Sequence, residues 1–227
     1  MPQGGDDLTG GVSAHPDTAV LPAELQIALG YTAPALRPRL ESALLLDQRI
    51  GRLIGQSSEP MLGQMRIAWW RDMLGKPVAE RPRGDAVLDA LGLFWAEQEA
   101  PLVALVDGWE QLLVEPPLPE ESALAFAHGR AAPFLALCEA GDYNVVTSAA
   151  CVWALTDAGI HISDPAERAL FQRLSEQQYS SAKLPRNLRG LAVLRALASR
   201  SLANDLAPMM AGRGASLVAL RAGLLGR

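Results

Sequence analysis

"ESALLLDQRIGRLIGQSSEPMLGQMRIAWWRDML", residues 41–74, reads as two amphipathic helices and the break between them. At about 100° per residue, Ala43, Leu46, Ile50, Leu53 and Ile54 fall together as a core stripe. Glu41, Gln48, Arg49, Arg52 and Gln56 fall nearly opposite as a solvated face. Between them runs a strip of Leu40, Leu44, Asp47, Gly51 and Gly55, bordering the core where a cavity-lining face would lie. A glycine inside a helix costs roughly 1 kcal/mol relative to alanine, so two of them four residues apart need a reason. Small residues at i and i+4 let a neighbouring backbone approach closely, and Asp47 on the same strip suits a buried cap or salt-bridge partner. In the second helix Met61 or Leu62, Met65, Trp69 and Met73 share one face, with Ile67, Trp70 and Leu74 beside them. So wide an apolar arc predicts a helix buried between several neighbours. Arg66, Arg71 and Asp72 supply its charge, Ser58 and Pro60 its start, and Gly75 and Pro77 its stop.

The helical pattern continues in both directions. Breaks fall at "TAPALRP", "QSSEP", "GKPVAERPRGD", "EPPLPEES", "AGDYN", "ISDPAE", "AKLPRN" and "LAPMMAGRG". These are the Pro, Gly, Ser and Asp clusters that end and restart helices. Asp164 before Pro165, with Glu167 in the first turn, is a second helix start. No alternating β-branched run argues for a strand. The expectation is an all-α bundle of roughly nine helices forming one domain over residues 21–227, preceded by a flexible tail, residues 1–20, that contains His15.

A chain of 227 residues with 49% hydrophobic residues is globular in composition. A formal charge of −5 gives no global basic field, which disfavours nucleic acid as a partner. Cys138 and Cys151, each in an apolar helical context, read as reduced core residues of a cytoplasmic protein. No apolar run approaches the ~18 residues of a membrane span, which leaves at most peripheral membrane contact. His15, His128 and His161 are too scattered for a zinc motif, and no CxxC, HExxH, GxSxG, P-loop or GxGxxG occurs in a useful context. His161 suits a position near a helix C-terminus. Lys183, Arg186, Arg189, Arg195 and Arg200, with Leu188, Leu191, Leu194 and Leu197, make an amphipathic basic helix. It is read as a solvated face over a core stripe, or as a surface for an anionic membrane or acidic partner.

The block "EPMLGQMRIAWWRDML", preceded by "YTAPALRPRLESALLLDQRIGRLIGQSS", resembles the squalene/phytoene synthase family. It is closest in wording to that family's divergent branch, which includes the mitochondrial complex I assembly factor with a phytoene-synthase-like domain. The resemblance continues at "LVDGWEQLL", "ALAFAHGRAAPFLAL" and "ALTDAGIHISDPAERAL", so it covers most of residues 25–205 in order. It implies an isoprenoid-synthase-like fold around a central cavity. Active members condense two prenyl diphosphates head to head, with Mg²⁺ held between the diphosphates and two Asp-rich helices. Hard Mg²⁺ requires carboxylate oxygens, and carboxylates at i and i+4 share one helix face.

Set against that pattern, the two metal-facing acidic positions of the first motif fall on Gly51 and Gly55, and the preceding Arg falls on Gln48. The second motif aligns with Asp157 and His161, and imidazole is a poor Mg²⁺ ligand. Gln111 and Leu112 stand where a further family Asp would be, and Phe126, Ala131 and Ala132 stand for the family's aromatic and small residues, so that the helix is kept while its polar contacts are not. The resemblance therefore implies a binding or assembly-type protein that has lost prenyltransferase activity, needs no cofactor or metal, and serves a lipid-like or isoprenoid ligand or a membrane complex. The alternative is an active Mg²⁺-dependent prenyl diphosphate synthase with an altered site. In that case Asp47, Asp157 and His161 line the cavity while Arg66, Arg71, Trp69 and Trp70 meet substrate.

Overall fold

The computed structural model describes residues 20–56 and 60–226. Ten α-helices follow one another among the described residues: α1 (Ala23–Tyr31), α2 (Arg37–Gly55), α3 (Pro60–Gly75), α4 (Ala86–Phe94), α5 (Ala100–Glu110), α6 (Glu120–Leu135), α7 (Tyr143–His161), α8 (Pro165–Gln178), α9 (Arg189–Leu202) and α10 (Gly214–Leu225). No strand occurs among the described residues, so the expected all-α bundle is the observed one. The sequence offers eight clear breaks, and the tenth helix comes from a ninth break at 95–99 that carries no Gly or Pro. There Glu97 takes a left-handed backbone, φ 64°. Buried Trp95 anchors the bend by donating its indole N–H to Arg39 O at 2.9 Å and Ser42 Oγ at 3.2 Å. Tertiary hydrogen bonding thus ends α4 where local composition does not.

Two other helix starts follow from side-chain capping. Asp164 Oδ1 accepts from the backbone N–H of Ala166 at 3.0 Å and Glu167 at 2.9 Å, as its position before Pro165 predicts. Asp85 does the same for Val87 and Leu88 at the head of α4. The Ser58 cap and all but Val20 of the tail expected over residues 1–20 lie outside the described residues.

α2 lies between two apolar clusters, and its faces divide accordingly. Ala43, Leu46 and Ile50 pack with Ile67, Trp70, Leu91, Trp95 and Leu105 from α3, α4 and α5. Leu40 and Leu44 belong instead to the larger cluster around α6, α7 and α9. Leu45 and Trp109 touch both. The strip read as bordering the core is therefore buried along its first half: Leu40 and Asp47 are each 1% exposed. α7 is the axis of the larger cluster. Its run Ala149–Leu155 is buried on every side, as an all-round apolar helix must be. Glycines permit the tightest crossings. A Cβ on Gly129 of α6 would lie 2.7 Å from Gly108 Cα of α5, and one on Gly190 of α9 would lie 2.1 Å from Ala28 O of α1.

Two helices depart from the reading of their periodicity. α3 is buried on one side only, through Ile67, Trp70, Met73 and Leu74, while Met61, Leu62, Met65 and Trp69 are exposed. Its apolar arc is wider than the surface its neighbours cover. In α9 the leucines are buried as expected, but Arg195 is not on a solvated face. It is buried and donates to Ser180 O at 2.9 Å and Ala182 O at 2.8 Å, tying down the α8–α9 connection.

Candidate functional site

A cleft of about 500 Å³ opens between the start of α1, the last turns of α2, the turn after α5 and the end of α7. Gln48, Gly51, Arg52, Ile54 and Gly55 line it from α2, Asp157, Ala158 and His161 from α7, Pro22 and Glu24 from the head of α1, and Trp109 and Leu112 from the region of α5. The positions that the sequence resemblance singled out on α2 and α7 thus reach one cleft. Asp157 and His161, one turn apart on α7, line it together with Gly51 and Gly55, one turn apart on α2.

The two glycines have different neighbours. A Cβ on Gly51 would lie 2.9 Å from Trp109 Cη2, whereas one on Gly55 would meet nothing within 4 Å among the described residues. Gly51 admits the Trp109 indole, and Gly55 leaves open volume. Neither serves the close backbone contact expected for an i, i+4 pair of small residues; Gly108, Gly129 and Gly190 do that work elsewhere.

Under the cleft lies a buried charge cluster. Asp47 Oδ1 accepts from Trp109 Nε1 at 2.8 Å and from Arg130 Nε at 2.8 Å, and its Oδ2 accepts from the same guanidinium at 2.7 Å. Arg130 also pairs with Asp157 Oδ2 at 2.9 Å and donates to Ala154 O at 3.2 Å. The Trp153 ring covers it at 4.2 Å, and Trp109 and Phe126 flank it at 5.1 and 5.4 Å. Burial pushes the guanidinium's pKa down, but the charges and hydrogen bonds of Asp47 and Asp157 outweigh it and hold the group above its usual value. Asp47 is the buried salt-bridge partner its position suggested, not a group exposed to the cleft. Arg130 is the residue that sequence reading passed over. Its signal was present: Ala123, Phe126, Ala127, Arg130, Ala131 and Phe134 recur at helical spacing, so a lone arginine sits on a buried stripe.

The remaining candidates lie elsewhere. None of Arg66, Trp69, Trp70 or Arg71 lines the cleft. Trp70 is buried in the α3–α5 cluster and stacks edge-on with exposed Trp69, ring centroids 5.1 Å apart. Arg71 pairs with Asp107 through Nε at 2.7 Å and with Glu110 at 2.6 Å, and its hydrogen bonds to Asp107 lead the interactions that raise its pKa. Its charge is consumed on the outer surface of α5.

The donor set decides what the cleft can hold. Among the described residues two carboxylates face it, Glu24 and Asp157. Asp157 is partly spent on Arg130, and both oxygens of Asp47 are engaged. Among the described residues no group of three or more His, Cys, Asp or Glu side chains converges as a metal site. A Mg²⁺–diphosphate centre requires several free carboxylate oxygens, and the residues present do not fit it. A side chain at position 51 would press on the Trp109 indole, whose Cη2 lies 2.9 Å from where its Cβ would stand. Compared with protein-family models, curated proteins and solved structures, the chain matches none.

Proposed function

We propose that this chain is a squalene/phytoene synthase-like protein that binds a lipid-like molecule in the α1–α2–α7 cleft without prenyl transfer. The observation that carries the reading is the meeting of Gly51, Gly55, Asp157 and His161 at one cleft. Positions assigned to two separate motifs on sequence wording alone lie across from one another, which is how an isoprenoid-synthase-like site is arranged. The walls support a ligand more apolar than polar: Pro22, Ile54, Trp109, Leu112, Ala158 and Ile162 supply hydrocarbon and aromatic surface. The floor argues against the catalytic alternative, because ionising a diphosphate needs its leaving charge neutralised and Arg130 is already shared between two aspartates.

Service to a membrane complex belongs to the same proposal. No described helix is long and apolar enough to cross a bilayer, and the exposed Met61, Leu62, Met65 and Trp69 of α3 give the outside an apolar face. Titration with a non-hydrolysable farnesyl diphosphate analogue and with farnesol, each with and without Mg²⁺, tests the reading. Farnesol is expected to bind independently of the metal. Tight, Mg²⁺-dependent binding of the diphosphate would overturn the reading in favour of a prenyl diphosphate synthase.

A further inference from the structure

The charges around the cleft do not balance. One guanidinium, Arg130, serves two carboxylates, Asp47 and Asp157, so that cluster carries one uncompensated negative charge. Asp47 takes three hydrogen bonds and is enclosed. Asp157 takes one ion pair and retains side-chain exposure of 20% on the cleft side. Glu24 adds a second carboxylate from the head of α1. Burial holds the Glu24 carboxyl above its usual value; a backbone hydrogen bond opposes it, and smaller effects of Asp157, which raises it, and His161, which lowers it, follow. Arg52, the one guanidinium lining the cleft among the described residues, is exposed, as is His161. A partly buried negative pair beside an indole attracts a cation, since charge and ring quadrupole act in the same direction there.

From this arrangement we infer that the polar end of the ligand is cationic: an amphiphile whose ammonium lies between Glu24 and Asp157 beside Trp109, with its chain along Ile54, Leu112 and Ile162. This deepens the proposed lipid-binding role and rests on it. The same field repels phosphate and carboxylate head groups, so it separates this cleft from one built for a diphosphate.

Calorimetric titration of the full chain with decyltrimethylammonium, decanol and decyl phosphate, each below micelle formation, separates the two claims. The ammonium is expected to bind about tenfold or more tightly than either of the others. Glu24→Gln should weaken the ammonium several-fold and leave decanol unchanged. Gly55→Phe, at a position where an added Cβ meets nothing within 4 Å among the described residues, should fill the cleft and weaken all three. If none of the three binds, the lipid-binding reading itself fails. If decanol or decyl phosphate matches the ammonium, or Glu24→Gln leaves its affinity unchanged, the cationic assignment fails and the lipid-binding reading stands. Undiminished binding to folded Gly55→Phe would place the ligand outside this cleft and overturn the inference.

Discussion

At Gly51 the missing side chain is what lets Trp109 lie against α2 and donate to Asp47. Gly51→Asp therefore sets a new carboxylate against an indole held by a hydrogen bond, and is expected to cost about 1–3 kcal/mol in urea unfolding. Gly55→Ala faces open space and should be neutral, or stabilising by up to roughly 1 kcal/mol, because alanine is the better helix former. Arg130 has a larger effect. Arg130→Met leaves two carboxylates with no cation, one of them enclosed, and should destabilise by about 3–5 kcal/mol. Arg130→Lys should recover little of this, since a single ammonium cannot reproduce the paired bonds to both Asp47 oxygens. Glu24 gives a pH signature. Its carboxyl has a higher pKa folded than unfolded, so the folded state binds the proton more readily. Its effect on stability is most favourable at acid pH and is lost as pH rises through the folded value. Glu24→Gln should thus raise the melting temperature at pH 7, with the gain vanishing towards acid pH, where both states hold the proton.

Among the elements, α2 and α7 carry the cleft, and each is held by features of different legibility. The core stripe of α2 could be read directly from its spacing, because periodicity reports which residues share a face. Which of its other faces is buried could not, since that depends on α6 and α7 arriving from distant sequence. α3 shows the same limit from the other side: its sequence is apolar over a wide arc, and only the packing leaves half of that arc in solvent. The α5–α6 crossing is set by Gly108 and Gly129, whose backbones meet directly. Gly129→Ala should separate these helices, costing about 1–3 kcal/mol by overpacking, and should loosen Trp109 on α5 and Arg130 on α6 together. Cys151 on α7 is fully buried, and burial pushes its thiol up to about 12. It should resist alkylation in native conditions and react only on unfolding, whereas half-buried Cys138 should react first.

Across the whole molecule, α2, Leu45 and Trp109 join the two apolar clusters. Leu46→Ala in one cluster and Leu194→Ala in the other should each cost about 2–5 kcal/mol. Because the clusters share a helix, both should shift a single transition seen alike by tryptophan fluorescence and far-ultraviolet circular dichroism. The sequence by itself determined the helices, most of their boundaries, the caps at Asp164 and the core stripes of α2 and α9. These are local properties, written in spacing and in residues that stop or start a helix. It also singled out Gly51, Gly55, Asp157 and His161, although nothing local says that residues a hundred positions apart meet. Only the tertiary structure decided that they share a cleft, that an indole occupies the place opened by Gly51, and that Arg130 neutralises aspartates from two helices. The reason is physical: a charge's partner and a glycine's neighbour are fixed by helix packing, and packing is a property of the whole chain.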